Sequence, residues 1–161
     1  MPPSPPSPSI MQIGQYLRDL SFENFSMEAQ VPPGTMPAIE MGVDVEVRAL
    51  SEPKITDGHA VGDYESGLKI RILARSAGKD GKVAAEAKPV FMIEVAYAGR
   101  YRMAEVPEGE VEPFLAIEAP RLLFPFVRQI VAEAAMHGGL PPLLIAPVDF
   151  MAVYQQQKTA K

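Results

Sequence analysis

The chain has no cysteine and no tryptophan among its 161 residues. Without thiols it can form neither disulfides nor thiolate metal sites, and it cannot use a cysteine nucleophile. No apolar run approaches the roughly 18 residues that a membrane-spanning helix requires. The beginning, MPPSPPSPS, lacks the basic residues and the apolar core of a signal peptide. We therefore expect a cytoplasmic protein that makes no stable insertion into a membrane.

Residues suited to catalysis or metal binding are also few. The two histidines, His59 and His137, have no spacing typical of a metal site. A GxSxG nucleophile elbow and a glycine-rich phosphate-binding loop are both absent. Acidic pairs such as Asp44 and Glu46 lie on the polar side of an alternating pattern, whereas catalytic carboxylates need burial to separate their pKa values. We predict a binding protein rather than an enzyme, with no cofactor and no metal.

The remaining composition is that of an acidic globular domain. The hydrophobic fraction of 47% and the charged fraction of 22% are typical of a chain with its own core. The net charge of −5 argues against nucleic acid as a partner and is compatible with a basic protein partner. We place a single domain at residues 10–155. A proline- and serine-rich head at 1–9, expected to be disordered, precedes it, and a flexible tail at 156–161 follows it.

Period-two alternation predicts an antiparallel sheet. The clearest strand spans residues 38–49, where five apolar side chains alternate with polar residues or glycine. Further strands are expected near 20–25, 66–76 and 84–97, and the turn 76–82 joins the last two. Because the last three of these four strands follow one another without long crossovers, they should form an antiparallel meander.

The connections complete this prediction. The proline-glycine segment VPPGTMP, residues 31–37, should keep the first strand apart from the second. Pro89 removes a ladder donor, so the fourth strand is expected at an edge or to be irregular there. Residues 98–117 are expected to form a polar connection with a short helical turn near 110–116.

The most unusual stretch is 118–150. It predicts a helix that is apolar over well over half its circumference, with Pro120 in its first turn and Gly138 as its cap. Asp149 should cap a second helix over 149–157. One sheet can cover only one side of such a helix, so another copy of the chain should cover the rest. The fold class is α+β: a four-stranded antiparallel sheet, a long helix in the C-terminal half and a second closing helix.

Four segments also carry a family resemblance. They are YLRDLSFEN (16–24), FMIEVAYAG (91–99), LLFPFVRQIV (122–131) and GGLPPLLIAPVDF (138–150). In order and spacing, across about residues 10–155, they resemble SecB, the bacterial protein-export chaperone family. One departure is Phe25, where that family often has proline.

The resemblance implies a homotetramer, built as a dimer of dimers, in which neighbouring copies cover the apolar helix. It implies an ATP-independent chaperone that binds unfolded preproteins and passes them to the translocase ATPase SecA. The nine methionines suit promiscuous apolar recognition because their side chains are flexible. Two alternatives stay open: a chaperone of the same fold dedicated to one client, such as an antitoxin, and a small enzyme that uses the carboxylates.

Position by position, the resemblance assigns three groups of residues. The SecA-contacting acidic surface maps onto Asp19, Glu23, Met92 and Glu94. The unfolded-peptide groove maps onto Ile39, Met41, Val43, Phe150 and Tyr154, bordered by residues 31–37. The tetramer interface maps onto Ile93, Val95, Tyr97, Phe126 and Ile130. For the five groove residues, ordinary core positions remain the alternative.

Overall fold

The computed structural model describes residues 7–29, 31 and 36–160. Its elements are β1 (Ser9–Asn24), α1 (Ser26–Ala29), β2 (Ala38–Ala49), β3 (Lys54–Thr56), β4 (His59–Arg75), β5 (Pro89–Pro107), α2 (Glu108–Pro113), α3 (Ala119–His137) and α4 (Phe150–Thr159). A π-helical turn, Phe114–Glu118, joins α2 to α3. Most of the predicted head at 1–9 and the middle of the predicted crossover at 31–37 lie outside the described residues.

All five strands belong to one antiparallel sheet. The strand order is β1-β5-β4-β2, and β3 pairs with one end of β4. The predicted meander is therefore present as β2, β4 and β5, and β1 lies on the far side of β5. Among the described residues the sheet has five strands rather than the predicted four. The three-residue β3 is too short to show the alternation that marks a strand in the sequence.

The length of the strands was predicted well only for β2. Strand β5 continues to Pro107, so the expectation of a polar connection beginning at residue 98 was wrong. Tyr101 and Met103 are buried there while Arg100 and Arg102 are exposed, so the alternation does persist beyond the apolar run. Pro89 begins a central strand beside a register irregularity. Its predicted irregularity is present, and its predicted edge position is wrong.

A continuous helical run over residues 108–137 covers one side of the sheet. Ile93 and Val95 of β5 are fully buried, as are Leu123 and Val127 of α3. These side chains belong to one core cluster. Because the run begins at Glu108, the helix start predicted near Pro120 lies inside a longer helical run. The helix therefore buries one side in this subunit, as its pattern requires.

The opposite side of α3 stays uncovered. Leu122 is 52% exposed, Phe126 42% and Met136 50%. Exposure of such large apolar side chains on one helix is uncommon unless the surface meets a partner. The excess apolar character predicted for this helix is thus visible as a surface.

Helix α3 ends in a Schellman motif. The Leu140 N–H donates to the Ala135 carbonyl and the Gly139 N–H to the Met136 carbonyl, each at 3.0 Å. Gly139 has φ +75°, a conformation that favours glycine. Gly138, the predicted cap, is the C-cap residue with φ −78°.

The closing helix α4 begins where it was predicted. The Asp149 carboxylate accepts a hydrogen bond from the Ala152 N–H at 3.1 Å, which makes Asp149 the N-cap. The helix continues through Thr159, into the segment that was expected to be a tail. Its first residue, Phe150, packs edge-on against Phe124 with ring centroids 6.1 Å apart. This contact attaches α4 to α3.

Candidate functional site

An apolar cleft of about 300 Å³ opens at one end of the sheet. Four chain segments meet there: the start of α1, the approach to β2, the start of β5 and the segment that follows α3. The lining residues are Ser26, Val31, Met36, Pro37, Ile39, Val90, Phe91, Leu140, Pro141, Pro142 and Leu143. Only Ser26 has a polar side chain, so the cleft offers a surface for apolar groups.

The segment after α3 is open because of its prolines. Pro141 and Pro142 lack N–H groups and cannot continue a helix, and residues 141–149 form no regular secondary structure. Leu140 and Leu143 flank the proline pair and line the cleft with it. An apolar stretch that cannot continue the helix thus becomes part of the cleft lining.

Three predicted groove residues lie on one strand and share one side of it. Ile39, Met41 and Val43 alternate along β2, on the side of the sheet that the helices cover. Ile39 and Met41 are about 40% exposed, whereas Val43 is half-buried against the core. Of the predicted groove residues, only Ile39 lines the cleft.

The two predicted groove residues of α4 lie elsewhere. Phe150 is 1% exposed and belongs to the core, so its assignment to the groove surface is corrected to a supporting position. Tyr154 is half-buried and lines a separate hollow of about 370 Å³ between β2 and α4. The structure therefore does not bring the five predicted groove residues to one place.

Sequence reasoning missed most of the cleft. Val90, Phe91 and the segment 140–143 were not predicted to line it. A signal was present, because LPPLLIAPV is strongly apolar and lies between two predicted helices. Such a stretch must either join the core or remain available at the surface. Here Ile145 joins the core at 5% exposure, and Leu144 is 67% exposed.

The other side of the sheet is charged, and it brings the four predicted SecA-contacting residues together. Glu23 of β1 lies opposite Met92 of β5, and Asp19 lies four residue pairs further along, on the same side. Glu94 lies between them and forms salt bridges with Lys69 at 3.5 Å and Arg71 at 3.2 Å. Asp19 and Glu23 are exposed. We call these four residues the acidic surface.

A buried carboxylate lies farther along the same charged side. Glu65 is 1% exposed and accepts hydrogen bonds from the Tyr16 hydroxyl and from Arg48 Nε at 2.9 Å. Arg100 and Arg18 approach it to 3.6 and 3.8 Å. Burial acts to raise the pKa of Glu65, but the bonds from Tyr16 and Arg48 outweigh it and leave that pKa lowered. The ionised group links β1, β2, β4 and β5.

The predicted interface residues divide into two groups. Ile93 and Val95 are completely buried beneath α3, so their assignment to an interface is corrected to the core of the subunit. Strand alternation places them on the correct side of the sheet, but it does not show that this chain's own helix covers that side. Tyr97 is 9% exposed and stacks on Phe126, with ring centroids 6.0 Å apart and planes within 5°.

The uncovered part of α3 continues onto β1. Phe126 is 42% exposed and Ile130 is half-buried. On the neighbouring β1, Leu17 and Leu20 are 44% and 42% exposed, and Leu17 lies opposite Tyr97. Together with the exposed Leu122 of α3, these residues form one apolar surface, distinct from the cleft, which we call the helix surface.

Residues 7–29, 31 and 36–160 contain neither a candidate membrane span nor a candidate metal-binding cluster. No helix there is long and apolar enough to cross a membrane. Among those residues, no group of three or more histidine, aspartate or glutamate side chains is arranged to hold a metal ion. Glu65 is the single buried carboxylate of the described core, and its partners are arginines and a tyrosine.

Comparison with known proteins gives one consistent result. A family model described as preprotein translocase subunit SecB matches residues 4–161. Protein-export protein SecB of Hyphomonas neptunium is 44% identical over 150 residues, which are 93% of this chain and 79% of that protein. Protein-export protein SecB of Nitrobacter winogradskyi is 38% identical, over 96% of this chain and 87% of that protein.

Among solved structures, the fold is similar to that of a SecB-like chaperone, Rv1957 of Mycobacterium tuberculosis, in complex with a ChAD peptide from the Rv1956 HigA1 antitoxin. The TM-score is 0.64, and the alignment covers 86% of this chain and 90% of that one. The sequence identity is 12%, so this likeness concerns the fold alone.

Proposed function

Because the chain belongs to the SecB family of preprotein translocase subunits, we propose that it is an ATP-independent export chaperone that binds unfolded preproteins in the cytoplasm and keeps them competent for translocation. The observation that carries this proposal is the apolar cleft, which is open to solvent. Apart from Ser26, its lining side chains are apolar. A folded protein hides its apolar side chains, whereas an unfolded one presents them. The cleft therefore selects for the unfolded state.

The clients are held by burial of apolar area. Each apolar side chain that enters the cleft contributes about 25 cal/mol per Å² removed from water. Met36 has a flexible and largely exposed side chain, and Ile39 is partly exposed. The lining can therefore adapt to different client side chains. Along β2, Met41 and Val43 extend the surface from the cleft toward the hollow beside Tyr154. Several weak apolar contacts of this kind give broad client range without sequence specificity.

Delivery to SecA is assigned to the acidic surface. Asp19 and Glu23 are exposed carboxylates beside the half-buried Met92, a combination that suits a basic and partly apolar partner. Charge complementarity of this kind chiefly accelerates association, and salt screens it. The client cleft and the SecA contact thus occupy opposite sides of one sheet, so both can be occupied at once.

Assembly is assigned to the helix surface. Leu122, Phe126 and Leu17 are large, apolar and exposed in the isolated subunit. A homotetramer, formed as a dimer of dimers, would remove them from water. The same assembly would leave the charged side of each sheet accessible.

The decisive experiment measures native mass and client protection together. We expect native mass spectrometry to show a tetramer, and a chemically unfolded preprotein to remain in solution when the tetramer is present. A monomer that fails to suppress aggregation of the preprotein would overturn the proposal. A tetramer that protects the preprotein but does not bind SecA would remove only the delivery step.

The two alternatives are less well supported. Dedication to a single client, such as an antitoxin, has a fold-level likeness as its support, whereas relatives at 38–44% identity are named protein-export proteins. Binding of one antitoxin peptide without binding of unrelated unfolded proteins would favour it. An enzyme would need a buried acidic pair, and in the described core the buried Glu65 faces cations instead.

A further inference from the structure

The end of β1 connects the segments that line the cleft. The Asn24 side-chain amide donates from Nδ2 to the Gly138 carbonyl at 2.9 Å. Its Oδ1 accepts from the Ser26 backbone N–H at 3.1 Å. Ser26 begins α1 and lines the cleft, and Gly138 begins the segment whose continuation, 140–143, also lines it. One side chain therefore bonds to Ser26 of the cleft lining and to Gly138, which lies two residues before the lining segment 140–143.

The chemistry of these two bonds defines the orientation of the amide. The Ser26 N–H needs an acceptor and the Gly138 carbonyl needs a donor. Only an amide with its oxygen toward Ser26 and its nitrogen toward Gly138 satisfies both groups. Aspartate keeps the acceptor but has no donor when ionised, and alanine has neither. Asparagine is therefore the residue of this size that fits both partners.

Two neighbours of Asn24 strengthen the junction. The Phe25 N–H donates to the Val90 carbonyl at 2.8 Å, and Val90 also lines the cleft. Proline, which the family often has at position 25, has no N–H and could not make this bond. The Phe22 ring lies so close to Gly138 that a Cβ at that position would overlap it. The end of α3 is thus held both by packing and by the Asn24 bond.

From these contacts we propose that Asn24 is a positioning residue that holds α1 and the segment 138–143 at the separation the client cleft requires. The role rests on the client-binding function proposed above. Asn24 itself does not line the cleft, so its effect on clients passes through Ser26 and Gly138. Without it, the two sides lose their shared hydrogen-bonding partner, and the open state of the cleft becomes one of several arrangements.

The first test measures the separation directly. Since the chain has no cysteine, the pair Glu28→Cys and Leu144→Cys gives the only attachment sites for spin labels. Both positions are exposed, one on α1 and one beside Leu143. Labelled chain is mixed with an excess of unlabelled chain so that distances within one subunit dominate. We expect a narrow distance distribution with Asn24 and a broader one with Asn24→Ala.

The second test uses a fluorescent, reduced and carboxymethylated polypeptide that cannot refold as the client. Loss of two hydrogen bonds that hold the cleft should weaken its binding by about tenfold in Asn24→Ala. Asn24→Asp should weaken it less, and amide exchange at Ser26 should stay slow in that variant because the acceptor remains. Gln12→Ala is the matched control. It removes an exposed amide of the same strand, whose 2.8 Å bond to Gln15 is remote from the cleft lining.

The outcomes separate this inference from the proposed function. Tight client binding and a narrow distance distribution in Asn24→Ala would overturn the role of Asn24. If no form of the chain binds the polypeptide, client binding fails, and the distance measurement still decides whether Asn24 sets the separation. If Asn24→Ala does not fold, Asn24→Asp, which keeps the Ser26 bond, carries both measurements. A Gln12→Ala variant as weak as Asn24→Ala would also contradict the proposal.

Discussion

The two sides of the sheet are built from alternate residues of the same strands, yet one side is apolar and the other is charged. On β4, Ile70 and Ile72 are buried beneath the helices, while Lys69 and Arg71, which alternate with them, pair with Glu94 on the open side. Alternation at period two is sufficient to separate the two surfaces. In the function proposed above, the helical side binds clients by apolar burial, which salt does not screen and which does not depend on a particular client sequence. The open side binds SecA through charge, which depends on salt and on the partner. One element thus supports both of the proposed binding modes.

The largest effect on stability is expected from a cavity on the helical side of the sheet. Leu123 is completely buried against the sheet, and its truncation to alanine should cost about 3 kcal/mol of unfolding free energy. Urea unfolding at fixed protein concentration measures this loss. Leu122→Ala is the matched control, because Leu122, the residue next to Leu123, is itself 52% exposed in the subunit. Leu122→Ala should weaken assembly instead, and equal loss of subunit stability in both variants would contradict the packing described here.

On the charged side, the most destabilising substitution is expected at Glu65. Glu65→Gln leaves Arg48, Arg18 and Arg100 without their shared anion and should cost about 2 kcal/mol at neutral pH. Since the folded pKa of Glu65 is lowered, its ionisation stabilises the fold above the unfolded pKa of about 4.3. That contribution should disappear as the pH falls through the folded pKa. Urea unfolding from pH 7 downward should therefore show a smaller acid loss in Glu65→Gln than in the parent chain. Parallel pH profiles would refute this assignment.

Two adjacent residues of β2 that face opposite sides of the sheet test which side binds clients. Ile39→Ser removes an apolar side chain from the cleft and should weaken binding of an unfolded polypeptide by about tenfold. Glu40→Ser removes a side chain that pairs with Arg75 at 3.5 Å on the open side, and it should leave that binding unchanged. Fluorescence anisotropy with a labelled client measures both. Equal effects would mean that clients do not distinguish the two sides.

The smallest effect is expected from a charge reversal on the acidic surface. Glu94→Lys should weaken SecA binding by about fivefold at low salt and leave client capture intact. The difference from the parent chain should shrink as salt is added. Glu110→Lys, an equal change of charge on α2, tests whether net charge alone is responsible. Equal loss of SecA binding and client capture in Glu94→Lys would show that the acidic surface is assigned wrongly.

The sequence predicts the elements better than the surfaces. The bounds of β2 follow from five in-phase pairs, and the start of α4 follows from Asp149. Alternation also assigns Ile93 and Val95 to the correct side of the sheet. It does not reveal what covers that side, because the covering helix is distant in the chain. The same gap explains why Phe150, whose burial depends on contact with Phe124, was predicted to line the groove.

The cleft was out of reach for a related reason. It is made by four segments that approach one another only in the folded chain, and the bond from Asn24 to Gly138 spans 114 positions. Gly138 is marked locally as a helix cap, but nothing in the sequence near Asn24 or Gly138 identifies the two as hydrogen-bonding partners. The resemblance to the SecB family predicted a groove and placed it along β2. That residues 140–143 line the cleft could be recognised only from the folded structure.

The outer edge of β2 has a consequence for survival in the presence of clients. In the part of the chain that the structure describes, no strand pairs along that edge, and an open edge recruits other extended chains. A chaperone for unfolded chains meets such recruits in every working cycle. Gln157 of α4 donates to the outward Val45 carbonyl at 3.3 Å. Glu40 and Asp44 place negative charges at two other positions of the same strand. The closing helix thereby occupies one backbone acceptor that an extended client could otherwise use along this edge.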